Sequence, residues 1–487
     1  MSSLNHPSET LVTEIASEKM TNLESSSSEK MTTSEMRATT SLAAIYGLRM
    51  FGMFSILPIF AIYASTHFQP APSSMMIGLA LGAYGLTQAL FQLPFGMASD
   101  KYGRKPIIYL GLAIFAVGSM VAALAPNIEA VILGRVIQGA GAVSAVVTAL
   151  LADLTRDEHR TKAMATIGAT IGVAFALSLV GGPLLNQWVG VPGIFAITAL
   201  LTLIAIAVVK FVVPDPVDSH YHSDASATPA KLKDVLKNTQ LLRLNYGIFA
   251  LHAAQMAMFV VVPFAIIQSS GIHENQHWQI YLPVLVASFV LMVPAIIYAE
   301  KQSKMKLVFV SAIAIMFAAQ LMFSVSIQHF WGIVASLTLY FIAFNILEAS
   351  LPSIISKIAP AAAKGTAMGV YNTSQSLGVF VGGAFGGYLS HTFGFASVFI
   401  FCSMMMFIWL VLAYSMQPPP AVRTKMYTML ETATDMSHEA TAILKAELAK
   451  LGGVIEVAVL PQERTVILKL DKLYDWDEAQ VLKLLRG

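Results

Sequence analysis

A single cysteine, Cys402, stands in 487 residues. That excludes a disulfide within one chain and any cysteine-rich metal site, and it leaves Cys402 to act as a small buried apolar residue of the last apolar run. Charge is scarce as well. Asp, Glu, Lys and Arg make up 12% of the chain, where a soluble domain carries about a quarter. There is no glycine-rich nucleotide loop, no nucleophile set beside a base and no cluster of metal ligands. An enzyme, a nucleic-acid partner and a bound metal or organic cofactor are therefore not expected. The first 38 residues lack an apolar core, so they cannot be a secretory signal peptide. Rich in Ser, Thr and Glu, they read as a disordered cytosolic tail.

What the chain has in excess is apolar length. Hydrophobic residues make up 56% of it, and a bilayer core needs about 20 in succession per helix. Twelve runs are long enough, near 41–64, 75–98, 105–124, 128–151, 163–188, 191–213, 241–268, 278–299, 305–325, 329–357, 365–388 and 393–416. Lys and Arg fall in alternate connections. DKYGRK, TRDEHRTK, KLKDVLKNTQLLR, EKQSKMK and SKIAPAAAK share one side, while STHFQPAPSS, PNIE, NQWVGVPG and QSSGIHENQHW on the other contain none. This positive-inside pattern predicts both termini in the cytosol.

The chain also echoes itself at an offset near 200 residues. Residues 164–190 align with 367–394, setting Gly182 on Gly386 and Gly190 on Gly394, and Pro58 aligns with Pro263. Glu300, Lys301 and Lys304 repeat Asp100, Lys101 and Arg104 in decayed form. Two six-helix halves follow, 39–213 and 241–416, with a substrate site expected between them near the midplane. The connection 214–240 ends in Lys231, Lys233 and Lys237 and reads as a short helix on the anionic inner leaflet. His220 and His222 within it read as solvated rather than chelating. A Pro-rich linker, 417–423, leads to residues 424–487, whose character is different. TKMYTMLE, VIEVAVL and TVILKL read as strands, the last two joined by PQER. An amphipathic helix over 437–451 sets Ala440, Ile443, Leu444 and Leu448 on one face, and a second over 475–485 carries Trp476, Ala479, Val481, Leu482 and Leu485. The order βαββα predicts a small α+β, ferredoxin-like cytosolic domain.

The most specific motif joins the second and third runs: Gly96, Asp100, Gly103, Arg104 and Lys105 in the pattern G-x3-D-x2-G-R-K. Gly96 is expected to let two backbones approach, and Gly103 to turn with φ > 0. The charges sit at the membrane edge, where pairing counts for more than in water. This stretch resembles the signature loop of the major facilitator superfamily. Arg135, Gln138, Gly139 and Gly141 are similar to a second motif of that family, R-x2-Q-G-x-G. Gly181, Gly182 and Pro183 are similar to part of the motif of its drug:proton antiporter branch, G-x8-G-x3-G-P-x2-G-G. There the match is partial: Ala169 and Ser178 replace glycines, and Asn186-Gln187 stand in place of the last pair.

The resemblance implies an all-α membrane protein, twelve helices in two pseudo-symmetric halves, with the C-terminal domain that one branch of the family carries. It implies that Asp153 pairs with Arg104, making an Asp100–Arg104–Asp153 cluster that locks the halves in an outward-open state. It links Arg135 to proton coupling. Read alone, Asp153 is a solvated carboxylate and Arg135 is satisfied by neighbouring carbonyls. Gly139, Gly141, Gly182 and Pro183 are expected at close helix contacts.

Polar residues inside apolar runs supply the remaining candidates. Arg49 either faces a cavity or partner, where it would join the proton-coupling set, or snorkels to the inner interface. Tyr84, Gln88 and Gln92, at i, i+4 and i+8, form one stripe read as lining a cavity. Gln138, Gln255, Asn345, Tyr371, Asn372 and Gln375 extend that predicted cavity. Glu348 is the best candidate for a group that binds and releases a proton, with a structural glutamate closing the pore as the alternative; His252 is the next. The expected function is a proton-coupled secondary transporter working by alternating access, a monomer in the bacterial inner membrane that exports an amphipathic small molecule in exchange for protons. The proton gradient serves in place of a cofactor. The rivals are a proton-coupled metabolite symporter and a membrane sensor with a cytosolic output domain.

Overall fold

The structure, a computed structural model, describes residues 31–215, 229–302, 304–360, 363–419, 422–429, 438–460, 465–471, 474 and 480–481. The predicted tail over 1–30, the His220/His222 pair, the PQER turn and the set Trp476, Ala479, Leu482 and Leu485 lie outside the described residues.

The first helix, α1 (Thr33–Phe54), starts inside the segment expected to be a tail. The cause is a capping box: the Thr32 hydroxyl accepts from the Glu35 amide, and the Glu35 carboxylate accepts from the Thr32 amide. Glu35 is buried, and its carboxylate also takes the Arg156 side chain at 2.9 and 3.1 Å and the Arg156 amide at 2.8 Å. Burial by itself would push this carboxyl up, but the Arg156 and Thr32 bonds outweigh it and hold it at about 2, against an ordinary 4.5. A depressed carboxyl stabilises the folded form above its unfolded pKa, and that contribution disappears as the pH falls from about 4.5 to about 2. Protection of the amides at the start of α1, taken as the intrinsic exchange rate divided by the observed rate at each pH, should fall over that window, and Glu35→Gln should flatten the dependence.

Beyond Pro58, α2 (Phe60–His67) resumes after a break at 55–59, a full interruption where the proline predicts a kink. Next come α3 (Ser74–Tyr102), α4 (Arg104–Ala123), α5 (Ile128–Ala140) and α6 (Ser144–Asp153). The run expected to be continuous over 128–151 is therefore broken at 141–143. Helical residues continue through α7 (Asp157–Phe211), which is interrupted at Gly190 with φ 65. A short α8 (Pro229–Lys237) precedes α9 (Thr239–Ser270), α10 (Trp278–Lys301), α11 (Met305–Ser326), α12 (Phe330–Ile358), α13 (Lys364–Phe393) and α14 (Phe395–Tyr414). Among the described residues, nine helical segments are long and apolar enough to cross a membrane, with Lys162–Phe211 counted as one.

Packing repeats as the sequence does. α1 packs on α7, α3 and α4 on α5, and α4 on α7; α9 packs on α13, α10 and α11 on α12, and α11 on α14. Gly190 and Gly394, aligned by the repeat, both hold positive φ (65 and 83) where one helix gives way to the next. α9 is enclosed by protein on nearly all sides, with Ala250–Val262 buried without interruption. Leu110, Val117, Leu133, Val286 and Val290, by contrast, are exposed, as a lipid-facing surface requires.

The two halves meet along α3 and α13. Gly78, Gly82 and Gly85 of α3 lie against Gly383, Gly387 and Ser376 of α13, so close that a Cβ on Gly78 would strike the Gly383 carbonyl. Small residues are what allow two membrane helices such an approach. Gly383→Val should wedge this seam and lower stability by about 1–3 kcal/mol, the usual cost of overpacking, read as a lower unfolding midpoint in detergent.

The C-terminal residues form β1 (Val422–Thr428), α15 (His438–Ala449), β2 (Val454–Leu460) and β3 (Thr465–Asp471) in an antiparallel sheet of order β1-β3-β2. Leu448 and Leu444 of α15 pack on the sheet core, while Ile443, expected on the same face, is exposed. Lys469 of β3 is buried, pairs with Glu456 at 2.8 Å and donates to the carbonyls of Lys357 and Ala359. Those carbonyls end α12, where the backbone acceptors and the helix dipole both favour a cation. The unit is thereby fastened to the helix that carries Glu348.

Candidate functional site

Three groups of polar side chains stand out. The first is the loop between α3 and α4. Gly103, with φ 92, ends one helix and begins the next, a conformation that only glycine takes cheaply. The turn sets Arg104 in an ion pair with Asp100, one with Asp153 at 2.9 Å, and a bond to the Ser99 hydroxyl at 2.7 Å. Asp153 is almost wholly buried, and Lys105 bonds the Val213 carbonyl at 2.8 Å and pairs with Asp215 at 2.6 Å.

The second group lies inside the first half. Arg49 is buried and does not snorkel. It donates to Ser144 Oγ at 2.9 Å and Gln88 Oε1 at 3.1 Å, with its guanidinium 5.0 Å from the Phe115 ring centroid. The break before α6 is what presents Ser144 to it. Arg135 donates to the Ala80 and Leu81 carbonyls and, at 2.8 Å, to Gln138, which in turn donates to Ser119 at 2.7 Å. Its guanidinium lies 4.2 Å from the Tyr84 ring centroid. Neither arginine has a carboxylate among these partners, so two cations sit in low dielectric held by neutral dipoles and aromatic faces.

The third group belongs to the second half. His252 of α9 places Nδ1 3.3 Å from the Ile248 carbonyl, and its Nε2 lies 2.7 Å from Gln375 Nε2 of α13. With the Gln375 amide donating, Nε2 accepts and the ring proton sits on Nδ1. Glu348 Oε2 of α12 lies 3.9 Å from the same Nε2. That oxygen is buried with no hydrogen-bond partner among the described residues, as are Tyr340 Oη, Tyr371 Oη and Asn245 Nδ2. The Glu348 side chain as a whole is half-buried. Aromatic rings close the other side and join the halves: Phe54 and Phe175 at 5.1 Å, Phe175 and Phe344 at 5.7 Å, Phe344 and His252 at 5.9 Å.

Comparisons with known proteins decide the family. Residues 42–383 and 306–443 match the Major Facilitator Superfamily. The chain is 42% identical over 442 residues to the inner membrane transport protein YajR of Escherichia coli (strain K12), covering 91% of this chain and 96% of that one. The chain belongs to the Major Facilitator Superfamily. An uncharacterized transporter of Buchnera aphidicola subsp. Schizaphis graminum is 34% identical over 386 residues, 79% of this chain and 98% of its own. A crystal structure of the nucleoside transporter NupG shares the fold at a TM-score of 0.62 and 14% identity, over 78% of this chain and 99% of that one. The human organic anion transporter MFSD10 does so at 0.59 and 16%, over 78% and 100%. The protein is thus a major facilitator transporter, integral to the membrane and multi-pass.

Within this major facilitator chain several expected placements need correction. Gly96 has open space where a Cβ would stand, so it makes no close approach; Gly139, Gly141 and Gly182 do, against the Tyr84, Gly111 and Ser55 carbonyls, with Pro183 buried beside them. Of the Tyr84, Gln88 and Gln92 stripe, Tyr84 and Gln92 are buried and Gln88 is half-buried. Tyr84 lies under Arg135, Gln88 spans from Arg49 to Ser376 of α13 at 3.1 Å, and Gln92 is fully buried. Asn345 donates to Ser288 of α10 at 2.9 Å and joins helices within its own half. Gln255 is buried on α9, Tyr371 is buried, and Asn372 is half-buried near Gln375. The ion pairs of Arg104 join parts of the first half, that of Lys105 reaches Asp215 at the start of the central connection, and none of them bridges the two halves. Ser99, Ser144, Ser376 and Glu35 escaped the sequence reading. Only Glu35 carried a signal there, the T-x-x-E of its cap.

Proposed function

We propose that this transporter couples movement of an amphipathic small molecule to protons by alternating access, with Glu348, His252 and Gln375 as the proton site. One observation carries the reading: a carboxylate well inside a membrane helix with an orphaned oxygen, beside a histidine and against aromatic rings from both halves. A second proton on His252 Nε2 requires the Gln375 amide to turn over and present its oxygen, and it creates a cation 3.9 Å from Glu348. α9, α12 and α13 would then sense the protonation state together. A cationic amphiphile would meet the carboxylate with its charge and the Phe175, Phe341 and Phe344 rings with its body.

In this reading the chain crosses the membrane twelve times. Gly190 divides α7 into two crossings, α1 with α2 makes another, and the glycine-rich α13, packed against α3 and α9, makes one more. The basic loops place both termini in the cytosol. The Asp100–Arg104–Asp153 cluster stiffens the cytosolic end of the first half and bridges to the other half only in the outward-open state. The β1-β3-β2 order supports a ferredoxin-like C-terminal domain. The protein works as a monomer, in exchange mode. A second reading, symport of a metabolite bearing an anionic group, is favoured by Arg49 and Arg135, two buried cations held without a carboxylate. Flux in sealed vesicles with an acid lumen separates them. Antiport predicts that a cationic amphiphile accumulates inside as protons leave; loss of a preloaded anionic metabolite from the lumen together with the departing protons would replace it.

A further inference from the structure

The halves also meet at the end of the bundle opposite the 96–105 loop. Asn186 Nδ2 donates to Asn275 Oδ1 at 2.7 Å, and Gln187 Nε2 donates to the Asn275 backbone carbonyl at 2.9 Å. Asn186 and Gln187 sit in the last turn of α7 before the Gly190 interruption. Asn275 is the middle of a 3-10 turn, Glu274–Gln276, between α9 and α10. That turn is well anchored. His277, at its end, is fully buried and its Nε2 lies 3.2 Å from the Ile272 carbonyl, so Asn275 is held in place before anything binds it. We propose that Asn186 and Gln187, clasping Asn275, are the polar latch that holds this end of the transporter shut.

The inference rests on the alternating-access reading and adds the residues that gate one of its two states. The α3–α13 seam is close-packed through small residues, with the Gln88–Ser376 bond set deep along it rather than at the rim. The Asn275 bonds are directional and lie at the rim, so opening at this end must break both. Asn186 and Gln187 are also the two positions at which the chain departs from the glycine pair of the antiporter motif. Glycines there could make neither bond. This chain therefore biases the closed state at that end more than a glycine pair would.

The test reads state populations, not transport. Cysteines introduced at Leu124 and Val325, both exposed at this end on opposite halves, carry spin labels in the full-length protein, while the buried Cys402 stays unlabelled. Pulsed electron paramagnetic resonance then gives the distance distribution. Each lost neutral hydrogen bond should shift the ratio of long to short distances about fivefold, so Asn186→Gly with Gln187→Gly should raise it roughly 25-fold. Asn186→Asp, whose carboxylate accepts from the Asn275 amide, should stay near the parent. Should the double variant fail to fold, Asn275→Ala removes one bond and keeps the backbone acceptor, with a shift of about fivefold expected. A distribution unchanged in the folded double variant, or in Asn275→Ala, overturns the latch. Because no substrate or gradient is used, a distance shift without any transport would sink the functional reading and leave the latch standing.

Discussion

Glu348→Gln should leave a folded protein whose proton-driven transport falls to the level of protein-free vesicles, while gradient-independent exchange of substrate persists. Among the described residues Glu348 is the one carboxylate placed well inside a membrane helix rather than at its end. Glutamine keeps the shape and can still hydrogen-bond, but it cannot exchange a proton. A carboxylate in this setting is costly unless it is used, and its Oε2 has no hydrogen-bond partner to make it a purely structural group. The split between driven and exchange transport is the informative readout. If both vanish together with unchanged folding, Glu348 binds substrate without carrying the proton. If driven transport is intact, the proton site lies elsewhere, and the Arg135 network becomes the next place to look.

The second large effect is expected at Arg104. Arg104→Met removes the cation that pairs with Asp100 and with the nearly buried Asp153 and also bonds Ser99. Deleting one partner of a buried pair typically costs about 3–5 kcal/mol, since the remaining charge stays in low dielectric. A strongly lowered unfolding midpoint in detergent and loss of transport should follow. Arg104→Lys should recover only part, because an ammonium lacks the planar fork that meets three partners at once. Asp100→Asn should be milder, since Asp100 is the more exposed of the two carboxylates. A transport defect in Asp100→Asn larger than its stability loss would show that the cluster also acts in switching. Equal stability of Arg104→Met and the parent would show that the cluster is a surface ornament.

These expectations draw unequally on sequence and structure. The loop motif was legible because its residues are close in the chain and their chemistry is local: Gly103 must turn, and Arg104 four residues from Asp100 must meet it. The twofold repeat was legible for the same reason, down to the positive φ shared by Gly190 and Gly394. What could not be read was which faces meet across long separations. The stripe of Tyr84, Gln88 and Gln92 is real as periodicity, but periodicity does not say whether the facing surface is water or another helix. Here Tyr84 meets Arg135, and Gln88 meets Arg49 and α13. The glycines of α3 and α13 were visible singly, yet their mutual contact spans some three hundred residues of chain. Gly96 shows the converse, since a motif position with no close neighbour reads the same as one with it.

The most direct measurement is proton release on ligand binding, in weakly buffered detergent solution, with tetraphenylphosphonium as the lipophilic cation. The account predicts that binding to the parent protein releases up to about one proton, and that Glu348→Gln binds the cation without release. Binding to the parent with no proton released, or the same release from Glu348→Gln, would contradict a shared site for proton and substrate. No binding of the cation to either protein would reject the cationic substrate class and leave the anionic reading built on Arg49 and Arg135.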